Sequence, residues 1–173
     1  MEANEYGAAL RRSLLEANIV PGAAESLIEE DFVPSTKLGI SFGTKEVDLG
    51  NFFRAGECKQ PPSILFAPEK DGSAASYAFF LTDPDAPTPD DPKFAFWRHW
   101  VLAGLQPSAN KAIEVTADHA LTEYLGPAPK DEYVFELFLI RHALQVDLSV
   151  QLKASSLPVL AISGTKRMAA DED

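Results

Sequence analysis

One cysteine, Cys58, stands in the 173 residues, so the chain has no partner for an intramolecular disulfide and no thiolate cluster for zinc. A lone thiol suits a reducing compartment, and a cytoplasmic protein is expected. The three histidines, His99, His119 and His142, are spaced without the pattern of a metal-ligand set. Neither a glycine-rich phosphate loop nor a serine in a nucleophile-elbow context is found, so no metal and no cofactor are expected. Met1 to Tyr6 carry neither the basic stretch nor the apolar run of a leader peptide, and no apolar segment approaches the ~20 residues of a membrane-spanning helix. Positive charge is also scarce: 15 Lys and Arg against 26 Asp and Glu give a net charge of −11. That balance repels nucleic acid backbones and anionic bilayers, which argues against a nucleic-acid partner and against strong membrane association.

What is present suits one globular domain over residues 1–173, with 46% hydrophobic composition to fill a core. Much of the acidity is dispersed, at Glu29-Glu30-Asp31, Asp90-Asp91, Asp131-Glu132 and Asp171-Glu172-Asp173, and reads as solvated surface. Leu10, Leu14 and Ala17 recur at helical spacing and predict an amphipathic helix over about 4–17, stopped by Pro21-Gly22. A weaker helical stretch is expected around Ala23 to Glu30, with Pro34 ending it.

From Lys37 the pattern alternates. Leu38, Ile40 and Phe42, a turn at Gly43-Thr44, then Val47 and Leu49 predict a β-hairpin. Further strands are expected at Ser63 to Phe66, Ser76 to Leu81, Trp97 to Leu105, Tyr133 to Ile140 and Pro158 to Ile162. Asp147 to Ala154 is expected to be a short helix, and the tail about 166–173 is expected to be flexible. Short strands punctuated by Pro and Gly, with a few helices at the ends, give a mainly β sandwich.

The chemistry concentrates in Thr82-Asp83-Pro84-Asp85-Ala86-Pro87 and, after a short loop, Phe96-Trp97-Arg98-His99-Trp100. Pro84 and Pro87 fix their own φ and push Asp83 and Ala86 toward extended geometry, so two carboxylates are held on stiff backbone. A central strand does not tolerate two prolines, which places the element at a sheet rim. An ordinary Asp/Pro turn ending a strand is the alternative. Period two predicts that His99, Val101 and Ala103 share one face. Glu136, inside an apolar run, is either a pocket acid or a solvent-facing edge residue, and Cys58 is expected to be a surface or half-buried thiol.

The order of these pieces resembles the phosphatidylethanolamine-binding protein (PEBP) family across roughly residues 18 to 165. The resemblance rests on Asp31 to Thr36 leading into Leu38 to Gly43. It rests further on Thr82 to Pro87 with Asp91-Pro92-Lys93-Phe94 and Trp97 to Trp100, and on Glu123 to Pro129 followed by Tyr133-Val134-Phe135. It implies a PEBP-like β-sandwich whose small pocket accepts phosphate-like or carboxylate-like anions. By position, the pocket residues are Asp83, Asp85, Trp97 and His99 from the first signature, and Tyr124, Ala128, Pro129 and Tyr133 from the second. The Ala86–Pro87 bond is expected to be cis. Asp83 is expected to accept from the His99 ring N–H, with protonated His99 supplying positive charge to the anion.

The chain departs from the pattern in the second signature. Pro129 is followed by Lys130-Asp131-Glu132 and then Tyr133, where the family carries a longer glycine-rich loop ending in a His-Arg pair. A cationic donor contributes about 1.5–3 kcal/mol to an anion through a charge-assisted hydrogen bond, so its replacement by carboxylates alters the pocket. Phe94 also stands where tyrosine is usual. The resemblance then leaves several functions open. One is an enzyme of fungal secondary metabolism, in which His99 performs acid/base chemistry on a carboxylate or anhydride substrate with Asp83, Asp85 and Tyr133 assisting. Another is a cytosolic protein that binds a phospholipid headgroup without catalysis. A third is a serine carboxypeptidase inhibitor, with a protease or a pathway enzyme as protein partner and the N-terminal helix as a docking arm.

Overall fold

The computed structural model describes residues 3–68, 76–107, 111–127, 133–142 and 159–169. Helix α1 (Ala3–Glu16) places Tyr6, Leu10 and Leu14 four residues apart on one face, all buried. Asn18, at φ 59°, turns the backbone left-handed and stops it, and Pro21 follows a cis bond. The helical stretch expected over Ala23 to Glu30 is not a helix. Ile28 N–H reaches Ala24 O, and the chain then leaves in turns. One turn is enough to bury Ala24 and Ile28, and a single turn does not propagate without further packing. These residues form a cluster with α1, Ile19 and Val20, against which Leu49, Phe80 and Phe96 pack.

Strand β1 (Leu38–Phe42) turns at Gly43, whose φ of 59° suits glycine, into β2 (Lys45–Glu46). The hairpin ends earlier than the alternation of Val47 and Leu49 suggests, because Leu49 and Gly50 both adopt positive φ. β3 (Phe53–Arg54) is too short to have shown in the sequence. β4 (Ser63–Phe66) pairs antiparallel with β1, giving a three-stranded sheet in the order β2-β1-β4.

The second sheet has five strands. β5 (Ser76–Asp83), β6 (Trp97–Leu105), β7 (Tyr133–His142) and β8 (Val159–Ala169) join β3 in the order β3-β8-β7-β5-β6. Tyr77, Phe79 and Leu81 of β5 face the core shared with Leu38, Ile40, Phe42, Ile64 and Phe66 of the other sheet, while Phe80 turns toward α1. Burial on both faces is why Ser76 to Leu81 reads as a nearly unbroken apolar run. An edge-on ring contact ties the layers, Phe66 to Tyr77 at 4.8 Å between centroids, and another, Phe79 to Trp100 at 6.0 Å, joins neighbouring strands of the larger sheet.

The result is a mostly β protein with few helices, a two-sheet sandwich with α1 packed over the outer face of the larger sheet. The stretch expected to be a flexible tail from 166 begins instead inside β8, whose Met168 pairs with both Phe53 and Tyr133. Backbone ladders on two sides order residues whose side chains give no strand signal. The expected helix over Asp147 to Ala154 lies outside the described residues. No helix among the described residues is long and apolar enough to cross a membrane.

Candidate functional site

β5 ends at Asp83, and the next residue, Pro84, has no N–H to offer. The Asp85 N–H is therefore the first donor available, and it donates to Asp83 Oδ1 at 3.2 Å. This Asx-type closure folds the two aspartates toward each other beyond the sheet rim. The Ala86–Pro87 peptide is cis, and Phe94 N–H donates to Ala86 O at 2.9 Å, tying off the loop that leads back into β6.

His99 stands where the register of β5 and β6 breaks. Leu81 pairs with Trp100 and Thr82 with Arg98, so one step along β5 faces two along β6, and His99 is the inserted residue of a β-bulge. A bulge re-aims the side chain it inserts. A second shift, opposite Tyr77 to Phe79, includes Gly104 at φ 72°. Across the bulge at His99 the period of two is broken: Trp97 and Trp100, three residues apart, lie on the one face of their partners Asp83 and Leu81.

The His99 ring is fixed by the backbone of a separate segment. His99 Nδ1 lies 2.8 Å from Leu125 O, and Leu125 N–H donates back to His99 O at 2.8 Å. A carbonyl only accepts, so Nδ1 carries the proton and Nε2 of the neutral ring is an acceptor. The expectation that Asp83 takes the ring N–H is thus corrected: Leu125 O takes it, because residues 120–125 run along the open edge of β6. Leu121 N–H donates to Val101 O, and Val101 N–H donates to Thr122 Oγ1.

Burial sets the protonation states. It lowers the His99 pKa below its ordinary 6.5, only partly opposed by Leu125 O. The ring, 6% exposed, is neutral near pH 7, and the expected imidazolium is not the charge on offer. The Asp83 carboxyl is pushed up to about 7, by burial first and then by the neighbouring Asp85 carboxyl. Burial raises Asp85 as well. Two carboxyls so placed hold one proton between them near neutrality. Asp85 Oδ1 is buried and has no hydrogen-bond partner among the described residues.

The rim is apolar. Trp97 is 48% and Phe94 52% exposed, with their rings edge-on at 6.2 Å. Phe94 in place of the usual tyrosine thus contributes an exposed ring. Tyr124 directs its hydroxyl to Cys58 O, and its ring packs edge-on against Trp100 at 5.6 Å. Its hydroxyl proton is thus already engaged. Cys58 is fully buried, not the surface or half-buried thiol expected, and burial pushes its thiol up to about 12.

Tyr133 opens β7, three residues beyond Glu136, the register partner of Thr82, and so lies at the same end of the sheet as Asp83. Ala128 and Pro129 lie outside the described residues. His119 is in an exposed turn, where its Nδ1 accepts from Thr116 N–H. Among the described residues no group of His, Cys, Asp and Glu is arranged to hold a metal ion. Sequence reasoning missed the bulge and the Leu125 carbonyl; neither leaves a side-chain pattern to detect.

The profile of the phosphatidylethanolamine-binding protein family matches residues 30–167. A rice protein, MOTHER of FT and TFL1 homolog 2 of Oryza sativa subsp. japonica, is 27% identical over 111 residues. That match takes in 64% of this chain and spans 60% of the rice protein's length. In fold, the chain is similar to a carboxypeptidase Y inhibitor solved in complex with its cognate proteinase. There the TM-score is 0.78 at 19% identity, over 95% of this chain and 97% of the inhibitor. A phosphatidylethanolamine-binding protein from Plasmodium vivax is similar at a TM-score of 0.70 and 18% identity, over 93% of this chain and 97% of that one. With a profile match over most of its length and a sandwich of the same architecture, the chain belongs to the phosphatidylethanolamine-binding protein family.

Proposed function

We propose that the protein binds a small ligand without transforming it, the ligand's polar head at Asp83, Asp85 and His99 and its apolar part against Trp97 and Phe94. The observation that carries this reading is Asp85 Oδ1, a buried carboxyl oxygen with no hydrogen-bond partner among the described residues. Buried polar atoms are rarely left so unless a ligand or water completes them. The neighbouring groups favour a head that donates. The carboxyl pair holds a proton near neutrality, and His99 is neutral. A protonated carboxylic acid or a hydroxyl fits such a site, whereas a phosphate dianion meets carboxyl oxygens and no imidazolium. Phosphoethanolamine is therefore expected to bind no tighter than the millimolar range in a calorimetric titration; micromolar binding contradicts the reading. The same groups contain the parts of an acid/base catalyst, but hydrogen bonding alone uses all of them. A carboxylate or anhydride compound turned over by the wild type and not by His99→Ala would replace binding with catalysis.

A second reading is favoured by the similarity to the carboxypeptidase Y inhibitor over 95% of this chain. In it, the protein partners a protease of that kind. The apolar stripe of helix α1 is not free to dock on such a partner, because Leu10 and Leu14 are 1% and 3% exposed within the chain's own core. Inhibition of carboxypeptidase Y is measured with the full chain, and no inhibition at micromolar concentration removes this reading. A cytoplasmic location is consistent with the single cysteine.

A further inference from the structure

His99 does not set its own ring orientation. Leu125 O does so, and the position of Leu125 is set in turn by its neighbours. On one side, the Tyr124 hydroxyl donates to Cys58 O, and Cys58 is fully buried in the core between the sheets. On the other, Gly126 lies so close to the same carbonyl that a Cβ there would stand 3.1 Å from Cys58 O and 3.6 Å from Lys59 Cα. The Tyr124 ring is also held edge-on by Trp100, the residue that follows His99. Residues 124–126 are thus pinned to the core by two contacts on one carbonyl, and the residue between them presents its N–H and its C=O to His99.

We propose that Tyr124 is a positioning residue that determines the specificity of the site, by seating Leu125 O so that His99 holds a single tautomer with the proton on Nδ1. Whatever Nε2 of the neutral ring meets, it meets as an acceptor. The ring then selects ligand heads that donate a hydrogen bond, and the selection originates at Cys58, on the far side of the 124–126 segment from the ligand. The proposal takes Asp83, Asp85 and His99 as the ligand site, and it assigns Tyr124, a ligand-contacting residue by family position, a different role.

The test needs no ligand, so it is separate from the question of what binds. Ring nitrogen to proton correlations report the His99 tautomer and its titration midpoint, with the His99 signals identified by their loss in His99→Asn. In the wild type the Nδ1–H tautomer alone is expected. Tyr124→Phe removes the hydroxyl and keeps the ring, and Gly126→Ala pushes the segment away from Cys58 O. Each is expected to give a tautomer mixture and to lower the midpoint further, because the bond to Leu125 O is what raises it. Ile28→Val, buried in the α1 cluster, controls for general loosening and is expected to leave both readouts unchanged. The proposal is overturned if Tyr124→Phe and Gly126→Ala both retain the wild-type tautomer and midpoint, or if Ile28→Val shifts them equally.

Discussion

Replacing Asp83 by Asn should make the protein relatively more stable as pH rises. The folded-state pKa of Asp83 is raised from the ordinary 3.8 to about 7. An acid raised on folding contributes stability that is fully present below its unfolded pKa and is lost as pH climbs through the folded value. The window is therefore about pH 4 to 7, and above it the wild type holds a partly desolvated carboxylate beside another. In full burial a rise of this size has a ceiling of about 4 kcal/mol. Asp83 is only partly buried, and solvent screening reduces the figure to about 1–2 kcal/mol.

Asn does not titrate, and its side-chain oxygen can still accept the Asp85 N–H. Urea unfolding of both proteins at pH 4.5, 6 and 8 isolates the effect to the Asp83–Asp85 pair, because every acid outside the pair is common to the two and cancels in the difference. The expected result is a shift of about 1–2 kcal/mol in favour of Asp83→Asn between pH 4.5 and 8, or roughly 2–4 °C in Tm for each kcal/mol. A constant difference, or one that moves toward the wild type, refutes the reasoning. A site residue whose removal stabilises the fold is a common trade-off between stability and function.

Leu10→Ala should cost about 2–5 kcal/mol in chemical denaturation, whereas Leu15→Ala, at a position 60% exposed, should stay within about 0.5 kcal/mol. Equal effects would contradict the packing of α1. Cys58 should react with a thiol reagent only as fast as the protein opens, so its labelling rate should follow unfolding across denaturant; rapid labelling of the native protein would contradict its burial. Trp97→Ala should leave stability within about 0.5 kcal/mol and abolish any ligand-dependent change in tryptophan emission, since Trp97 is half-exposed and Trp100 is buried. A ligand-dependent change that survives in the variant would place the apolar contact elsewhere.

Much of the fold was legible because burial writes a pattern. β6 runs over the span its residues suggest, and the apolar run of β5 reflects packing on both faces. The stretch after Pro21 failed for the opposite reason: Ala24 and Ile28 have helical spacing, but one turn satisfies it. β3 and the end of β8 are held by each other's backbone, and backbone pairing leaves no mark in side-chain order. At the site, the aspartates were visible because proline marks stiff backbone. The electrostatics were not, since His99 is oriented by a main-chain carbonyl 26 residues away and sits in a bulge that cancels the period-two count. Cys58 was misplaced because Glu57 and Lys59 beside it suggest surface, while the thiol itself turns inward. Asp131 and Glu132, the substitutions that made the second signature unusual, lie outside the described residues.

The central claim is that Asp83, Asp85 and His99 form a site with a shared carboxyl proton and a neutral imidazole. A nuclear magnetic resonance titration of the wild type, following the Asp83 side-chain carboxyl carbon and the His99 ring together, tests it most directly. The account predicts that Asp83 titrates near pH 7 and that His99 titrates below its ordinary 6.5. An Asp83 midpoint near 4 with His99 above 6.5 would describe an imidazolium paired with a carboxylate, the arrangement of an anion-binding site, and would contradict it.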